Sequence, residues 1–234
     1  MQRKLQQFKR KRVSLSDKPF MTYSFLGINI IVYLVTLWRF GTTENTFALL
    51  LMGAKFSPLI IAEQQWWRLL SAAFLHIGIQ HLIMNGISLY FLGQDLEKIM
   101  GHWRFTVVYL IAAIGGNIFS FAFSDSVSAG ASTAIFGMFA SIIVLSRMYP
   151  RVYALQQRAT TYTILIALNV VNGLLTPGID NWGHFGGAIY GAIVTLVVGL
   201  AIKSETSRKE RILALVIGVA LTVLLIMYGI HQYS

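Results

Sequence analysis

The sequence contains no cysteine. That excludes a disulfide framework, a thiolate nucleophile and any cysteine-based metal site. Charge is scarce as well: 12% of residues are Asp, Glu, Lys or Arg, against about 25% in a soluble domain. Acids are the scarcest. Asp17, Glu44, Glu63, Asp95, Glu97, Asp125, Asp180, Glu205 and Glu210 are the whole set, and none lies inside a long uncharged run. Proton-coupled transporters usually place carboxylates within their spans, so this distribution argues against transport. It also argues against a zinc enzyme. His76, His81 and His184 could supply imidazoles, but no H-E-x-x-H and no carboxylate within a run completes a site. Neither a metal nor another cofactor is expected.

What the chain has in abundance is apolar length. Hydrophobic residues make up 56% of its 234 positions. Seven stretches lack Asp, Glu, Lys and Arg: Pro19–Trp38, Leu69–Gln94, Phe105–Ser124, Ser126–Ser146, Ala159–Ile179, Asn181–Ile202 and Ile212–Ser234. A transmembrane helix needs about 20 mostly apolar residues. The expected class is therefore an all-α polytopic membrane protein with seven spans and no sizeable soluble domain. Pro19–Trp38 is too long for a signal-peptide core, and no small-x-small cleavage site follows it, so it reads as a retained first span.

The formal net charge is +10. In a soluble protein that would point to nucleic acid; here it reports topology, and no nucleic-acid partner is expected. With the basic tail 1–18 placed in the cytoplasm, sixteen of the nineteen Lys and Arg residues fall on the inside, and only Arg39, Lys55 and Arg68 outside. The positive-inside rule thus predicts a cytoplasmic N-terminus and an extracytoplasmic C-terminus. Residues 39–68 are too apolar for a solvated loop, and Trp66 and Trp67 suit a membrane interface. The first half of Leu69–Gln94 holds His76, Gly78 and Gln80, which are poor residues to show to lipid. The outer, membrane-associated loop is therefore drawn as 39–80, with the second span starting near His81. Asn169 and Asn172 read as interhelical packing glue, and Gly187-x-x-x-Gly191 as a close-packing signal. The seventh span shows no polar residue that demands a role.

In this topology spans two, four and six all run inward. His81 and Asn85, Ser132, and His184 each lie near the outer end of one of them. His81 and Asn85 are four apart and share a helix face. A hydroxyl, a candidate base and two side-chain donors at one depth are the parts of an acyl-transfer site. Ser132 taken alone reads first as a helix N-cap, a position serine favours for structural reasons; the placement of the histidines is what shifts that reading. In the functional reading Ser132 is the nucleophile and His184 its base. His81, Asn85 and the Ser132 backbone N–H are the oxyanion donors. With no Asp or Glu inside a span, a Ser–His dyad is the most the sequence permits. Phe136 lies one turn from Ser132 on the same face and could pack against the His184 ring.

These residues resemble a family. Trp67-Arg68, His76, His81-x-x-x-Asn85, Glu97-x-x-x-Gly101-x-x-Arg104, Gly130-x-Ser132 and Asn181-x-x-His184-x-x-Gly187-x-x-x-Gly191 look, in order, spacing and span position, like the rhomboid intramembrane serine proteases. The resemblance covers about residues 20–202. It implies a six-helix core over 19–202, with 203–234 as a linker and an appended seventh transmembrane helix. It implies a Ser132–His184 dyad with an oxyanion site that includes His81 and Asn85. Gly130, Phe136 and His76 are supporting residues, His76 bonding within the loop or ordering water. Arg68 and Glu97 brace the loop and a helix end. The implied substrates are single-span membrane proteins, cut near the outer end of their helix after small residues, and admitted sideways past span five. Two positions depart from the family pattern: Thr133 stands where Gly is usual and could crowd the serine, and Phe136 stands where Tyr is frequent. Neither removes a catalytic atom, so an active enzyme is expected. The alternative is a rhomboid-like pseudoprotease that binds membrane clients without cutting them. A short tail with no presequence fits a multi-pass protein of a bacterial plasma membrane. Sequence alone assigns no oligomeric state.

Overall fold

A computed structural model describes residues 18–200 and 207–233. The basic tail 1–17 and the linker residues 201–206 lie outside the described residues. Ten α-helices follow one another, and no β-strand occurs among the described residues. They are α1 (Phe20–Phe40), α2 (Thr46–Met52), α3 (Ser57–Ala62), α4 (Arg68–Ser71), α5 (Gly78–Met100), α6 (His102–Phe123), α7 (Ser132–Met148), α8 (Tyr153–Leu175), α9 (Asn181–Val198) and α10 (Arg208–Tyr233). By length and composition α1, α6 and α10 are each sufficient to cross a membrane. Residues Arg68–Phe74 and Gly78–Met100 meet at a 90° bend. The chain is thus an all-α polytopic membrane protein.

The bend bears on the outer-loop boundary. Residues 68–74 form α4 and a short 3-10 turn, then Leu75 turns extended, and α5 begins at Gly78, whose φ is +74°. The helix therefore starts three residues before the expected His81. Its far end differs more. Residues 95–104 read as an inside loop from their charge, yet α5 runs to Met100, and α6 restarts after the single residue Gly101 (φ +80°). Leu96 and Met100 are fully buried, and Glu97 has its own partners, so the helix gains by continuing. Glu97 accepts from the backbone N–H of Met21 and Thr22, from the Thr22 hydroxyl, and meets His102 Nδ1. A buried carboxylate costs nothing comparable to its bare desolvation when four donors surround it.

The centre is a three-helix contact of α6, α7 and α9. Their backbones approach closely because glycines stand at the crossings. A β-carbon on Gly187 would lie 2.1 Å from the Thr133 carbonyl oxygen, and one on Gly191 would lie 2.3 Å from that of Gly137. No other residue allows such contact. Around this core Phe25 of α1 stacks on Tyr109 of α6 at 4.0 Å and 9°. The loop helices lie against the same end. Arg68 is buried and donates to the carbonyls of Leu50 and Ala54, which braces the loop from inside. Asn117 of α6 donates to Leu69 O.

Two packing expectations change. Asn169 and Asn172 are not interhelical glue: Asn169 donates to Leu165 O, and Asn172 accepts from the Thr176 hydroxyl. Both stay on their own chain segment and are exposed. Conversely α10, expected to be featureless, carries Thr222, whose hydroxyl sits 2.6 Å from that of Tyr190 on α9. Gly229 lets α10 close on Phe121 of α6, where an added β-carbon would come within 2.2 Å of the ring.

Candidate active site

Ser132 is the first residue of α7, and Ala131 holds the cap position. The serine is thus one position inside the helix, not at its cap. Its Oγ lies 2.9 Å from His184 Nε2. The structural alternative for this serine, a plain N-cap, is therefore not what the side chain does. Being at N1, Ser132 still places its own N–H among the unpaired donors of a helix start.

The segment leading to it is pinned at three points. Lys55 and Ser128 exchange backbone hydrogen bonds of 2.9 and 3.0 Å. The Lys55 side chain, fully buried, donates from Nζ to the carbonyls of Ser124 and Ser126 at 2.7 and 3.0 Å. Gly130 N–H donates to Ala72 O at 2.9 Å. Gly130 itself has φ +140°, and a β-carbon there would meet His81 Cε1 at 2.7 Å and Nε2 at 2.9 Å, with Asn85 Nδ2 at 3.4 Å. Only glycine fits, on both conformation and space. That crowding places His81 and Asn85 against the residue two before the serine.

His81 shows which nitrogen can donate. Its Nδ1 faces the Ile77 backbone N–H at 3.4 Å. In that arrangement Nδ1 accepts, so the ring proton sits on Nε2, the atom turned toward Gly130. Asn85 Nδ2 is buried and has no hydrogen-bond partner among the described residues. A buried amide donor without a partner is costly unless something arrives to accept from it. His76 is buried, and its ring lies 5.3 Å from that of His81 at 62°. It packs behind His81.

His184 lies in the first turn of α9. That turn is capped by Asp180, whose Oδ1 accepts from Gly183 N at 2.9 Å. The imidazole stacks on Phe136 with centroids 4.2 Å apart and planes 10° apart. The stack holds the ring by its face and leaves Nε2 free to meet Ser132. A hydroxyl on that ring is not needed for the contact, so phenylalanine serves.

Thr133 does not crowd the serine. It is 4% exposed and points to the other side of α7. A β-carbon on Gly116 would lie 2.7 Å from Thr133 Cβ, and one on Gly183 would lie 3.1 Å from its Cγ2. The side chain thus fills the angle between α6 and α9. Its hydroxyl is buried and has no partner among the described residues.

The structure gathers Ser132, His184, His81, Asn85, Gly130, Phe136 and His76 at one end of the bundle. Lys55 and Asp180 escaped the sequence reading. Asp180 carried a signal: a helix-capping residue one turn ahead of a histidine fixes where that histidine starts its turn. Lys55 carried none, since a lone lysine in a loop ordinarily reads as solvated.

Comparison with known proteins now bears on this arrangement. The Rhomboid domain family model matches residues 63–201. The chain belongs to the rhomboid family. It is 37% identical over 219 residues to the "Rhomboid protease GluP" of Bacillus subtilis (strain 168), covering 94% of this chain and 42% of that protein. It is 36% identical over 181 residues to "RHOMBOID-like protein 2" of Arabidopsis thaliana, covering 74% of this chain and 56% of that one. It is 30% identical over 240 residues to the "Rhomboid protease AarA" of Providencia stuartii, covering 92% and 83%. The chain spans about half the length of the first two of these rhomboid relatives.

Proposed function

We propose that this rhomboid is an active intramembrane serine endopeptidase. Ser132 is the nucleophile and His184 the base. The observation that carries the reading is the 2.9 Å contact between Ser132 Oγ and His184 Nε2, reached across two helices.

Ser132 Oγ attacks the scissile carbonyl carbon as His184 Nε2 takes its proton. The carbonyl oxygen becomes an oxyanion. The Ser132 N–H, His81 Nε2–H and Asn85 Nδ2–H are the donors for it, and the unpartnered Asn85 amide gains an acceptor only at this stage. Interactions that exist only in the transition state lower the barrier rather than merely tightening binding. The imidazolium returns its proton to the leaving amine as the C–N bond breaks, which leaves an acyl-serine. Water, deprotonated by the same nitrogen, then releases the carboxylate product and restores the serine.

The substrates are single-span membrane proteins, cut near the outer end of their helix and presented within the bilayer. The site faces the exterior of the plasma membrane, with the N-terminus cytoplasmic and the C-terminus outside. Sixteen of the nineteen basic residues on one side support that orientation.

The test is labelling of detergent-solubilised protein with a fluorophosphonate probe, paired with cleavage of a transmembrane reporter. Wild type should label and cut; Ser132→Ala and His184→Ala should do neither while remaining folded. A folded wild type that neither labels nor cuts would establish the client-binding pseudoprotease instead. A cysteine-accessibility map tests the orientation, and accessibility of position 132 from the cytoplasm would reverse it.

A further inference from the structure

A second site lies at the opposite end of the bundle. Ser132 and Arg147 begin and nearly end the same helix, about 22 Å apart at 1.5 Å per residue. Where α7 ends and α8 begins, a groove of about 730 Å³ opens between the two helices. Arg147, Gln156 and Thr160 line it near the connecting turn, and Ile143, Thr163 and Ile164 line it deeper in. The order follows from helix direction. Because α7 runs toward the turn and α8 away from it, Arg147, Gln156 and Thr160 fall at the mouth, and the two isoleucines lie about a turn nearer the bilayer centre, with Thr163 as the one polar side chain beside them. A groove graded from cationic and polar to apolar has the amphipathic profile of one phospholipid.

The charge selects the headgroup. Arg147 is exposed and forms no ion pair among the described residues, and the same holds for Arg151 just beyond. No acidic residue lines the groove. Among the described residues, the acids of this end are engaged elsewhere. Asp95 is held by Arg158 and Tyr162, Glu97 by Thr22 and His102, and Glu210 accepts from Ser207 N. The groove on the other side of α7 also reaches Arg147, but Glu210 stands in its wall. An anion would be repelled there. An unpaired arginine at a membrane interface attracts anionic headgroups, and its planar fork matches two phosphate oxygens.

We infer that the α7–α8 groove is a binding site for one anionic phospholipid. The phosphodiester sits on Arg147, and an acyl chain runs along Ile143 and Ile164. The lipid fills the gap between the two helices at the base of α8. A zwitterionic choline headgroup brings a second cation to an already cationic mouth and is disfavoured.

The experiment is native mass spectrometry of the full chain in a neutral detergent, with added palmitoyl-oleoyl phosphatidylglycerol or the matching phosphatidylcholine. Catalysis plays no part in the readout, so the outcome is separate from that of the protease assay. The protein is expected to retain one phosphatidylglycerol at about tenfold lower lipid concentration than phosphatidylcholine. Arg147→Gln should abolish that preference. Thr163→Trp, which fills the groove from its exposed wall, should reduce retention without touching charge. The double variant Arg208→Gln/Lys209→Gln should bind as wild type does, and millimolar inorganic phosphate should not displace the lipid. Equal retention of the two lipids would overturn the inference. So would wild-type retention by both Arg147→Gln and Thr163→Trp, equal loss in the Arg208/Lys209 control, or displacement by free phosphate.

Discussion

Thr133→Gly restores the residue that the family pattern favours beside the serine, and the structure expects it to do harm. Thr133 points away from Ser132 and into the contact with Gly116 and Gly183. Glycine there deletes two buried carbons, worth about 0.8 kcal/mol each, and leaves a small void. It also adds backbone freedom at a helix start, worth a few tenths of a kcal/mol. Removing the unpartnered buried hydroxyl offsets these losses by about 1 kcal/mol. The net expectation is a destabilisation of about 1 kcal/mol, or a drop of roughly 2–4 °C in melting temperature. Fluorophosphonate labelling well below the transition should proceed at the wild-type rate, because nothing near Ser132 Oγ changes. The assay is thermal unfolding in detergent by tryptophan fluorescence, with labelling rates on the same preparation. Labelling several-fold faster with an unchanged melting temperature would show that Thr133 crowds the nucleophile, and the geometric reasoning would fail. Thr133→Val is the companion variant. It keeps the shape, removes the orphan hydroxyl, and should stabilise by about 1 kcal/mol.

Other perturbations follow from the same geometry. Gly187→Ala drives a methyl to within 2.1 Å of the Thr133 carbonyl, so α9 must move away from α7; labelling should be lost even in protein that remains helical by circular dichroism. Asn85→Ala removes a buried donor that has no partner among the described residues and that is proposed to serve the oxyanion; on that reading reporter cleavage should slow by about 10²–10³-fold with melting unchanged or slightly raised. Lys55 offers a pH test. Burial lowers its pKa from 10.5 to about 8, with Asp180 and Asp125 pulling the other way. A neutral amine keeps two N–H groups, enough for the Ser124 and Ser126 carbonyls. Between those two pKa values the unfolded chain holds the extra proton, so unfolding free energy rises with pH. The melting temperature of wild type relative to Lys55→Met should therefore climb from pH 8 toward pH 10, and parallel curves would refute a buried, proton-losing lysine.

The sequence by itself determined the class. Long apolar runs with almost no charge are stably accommodated as membrane helices, whose backbone bonds close within each segment. Order and spacing also pointed to Ser132, His184, His81 and Asn85, because polar residues are costly in apolar runs and so stand out. Tertiary structure decided what periodicity cannot express. Charge marked 95–104 as a loop, but burial of Leu96 and Met100 and four donors around Glu97 carry α5 onward to Met100. Asn169 and Asn172 had the chemistry of interhelical glue, yet both are exposed and bond to Leu165 and Thr176 of their own segment. Thr133 looked like an obstacle to its neighbour in sequence until the crossing of α6, α7 and α9 turned it to the opposite side. Lys55 had no local signal, because its two acceptors lie 69 and 71 residues away. Local pattern states what a residue can do; which partner it meets depends on the rotation of each helix about its axis, and helix packing sets that rotation.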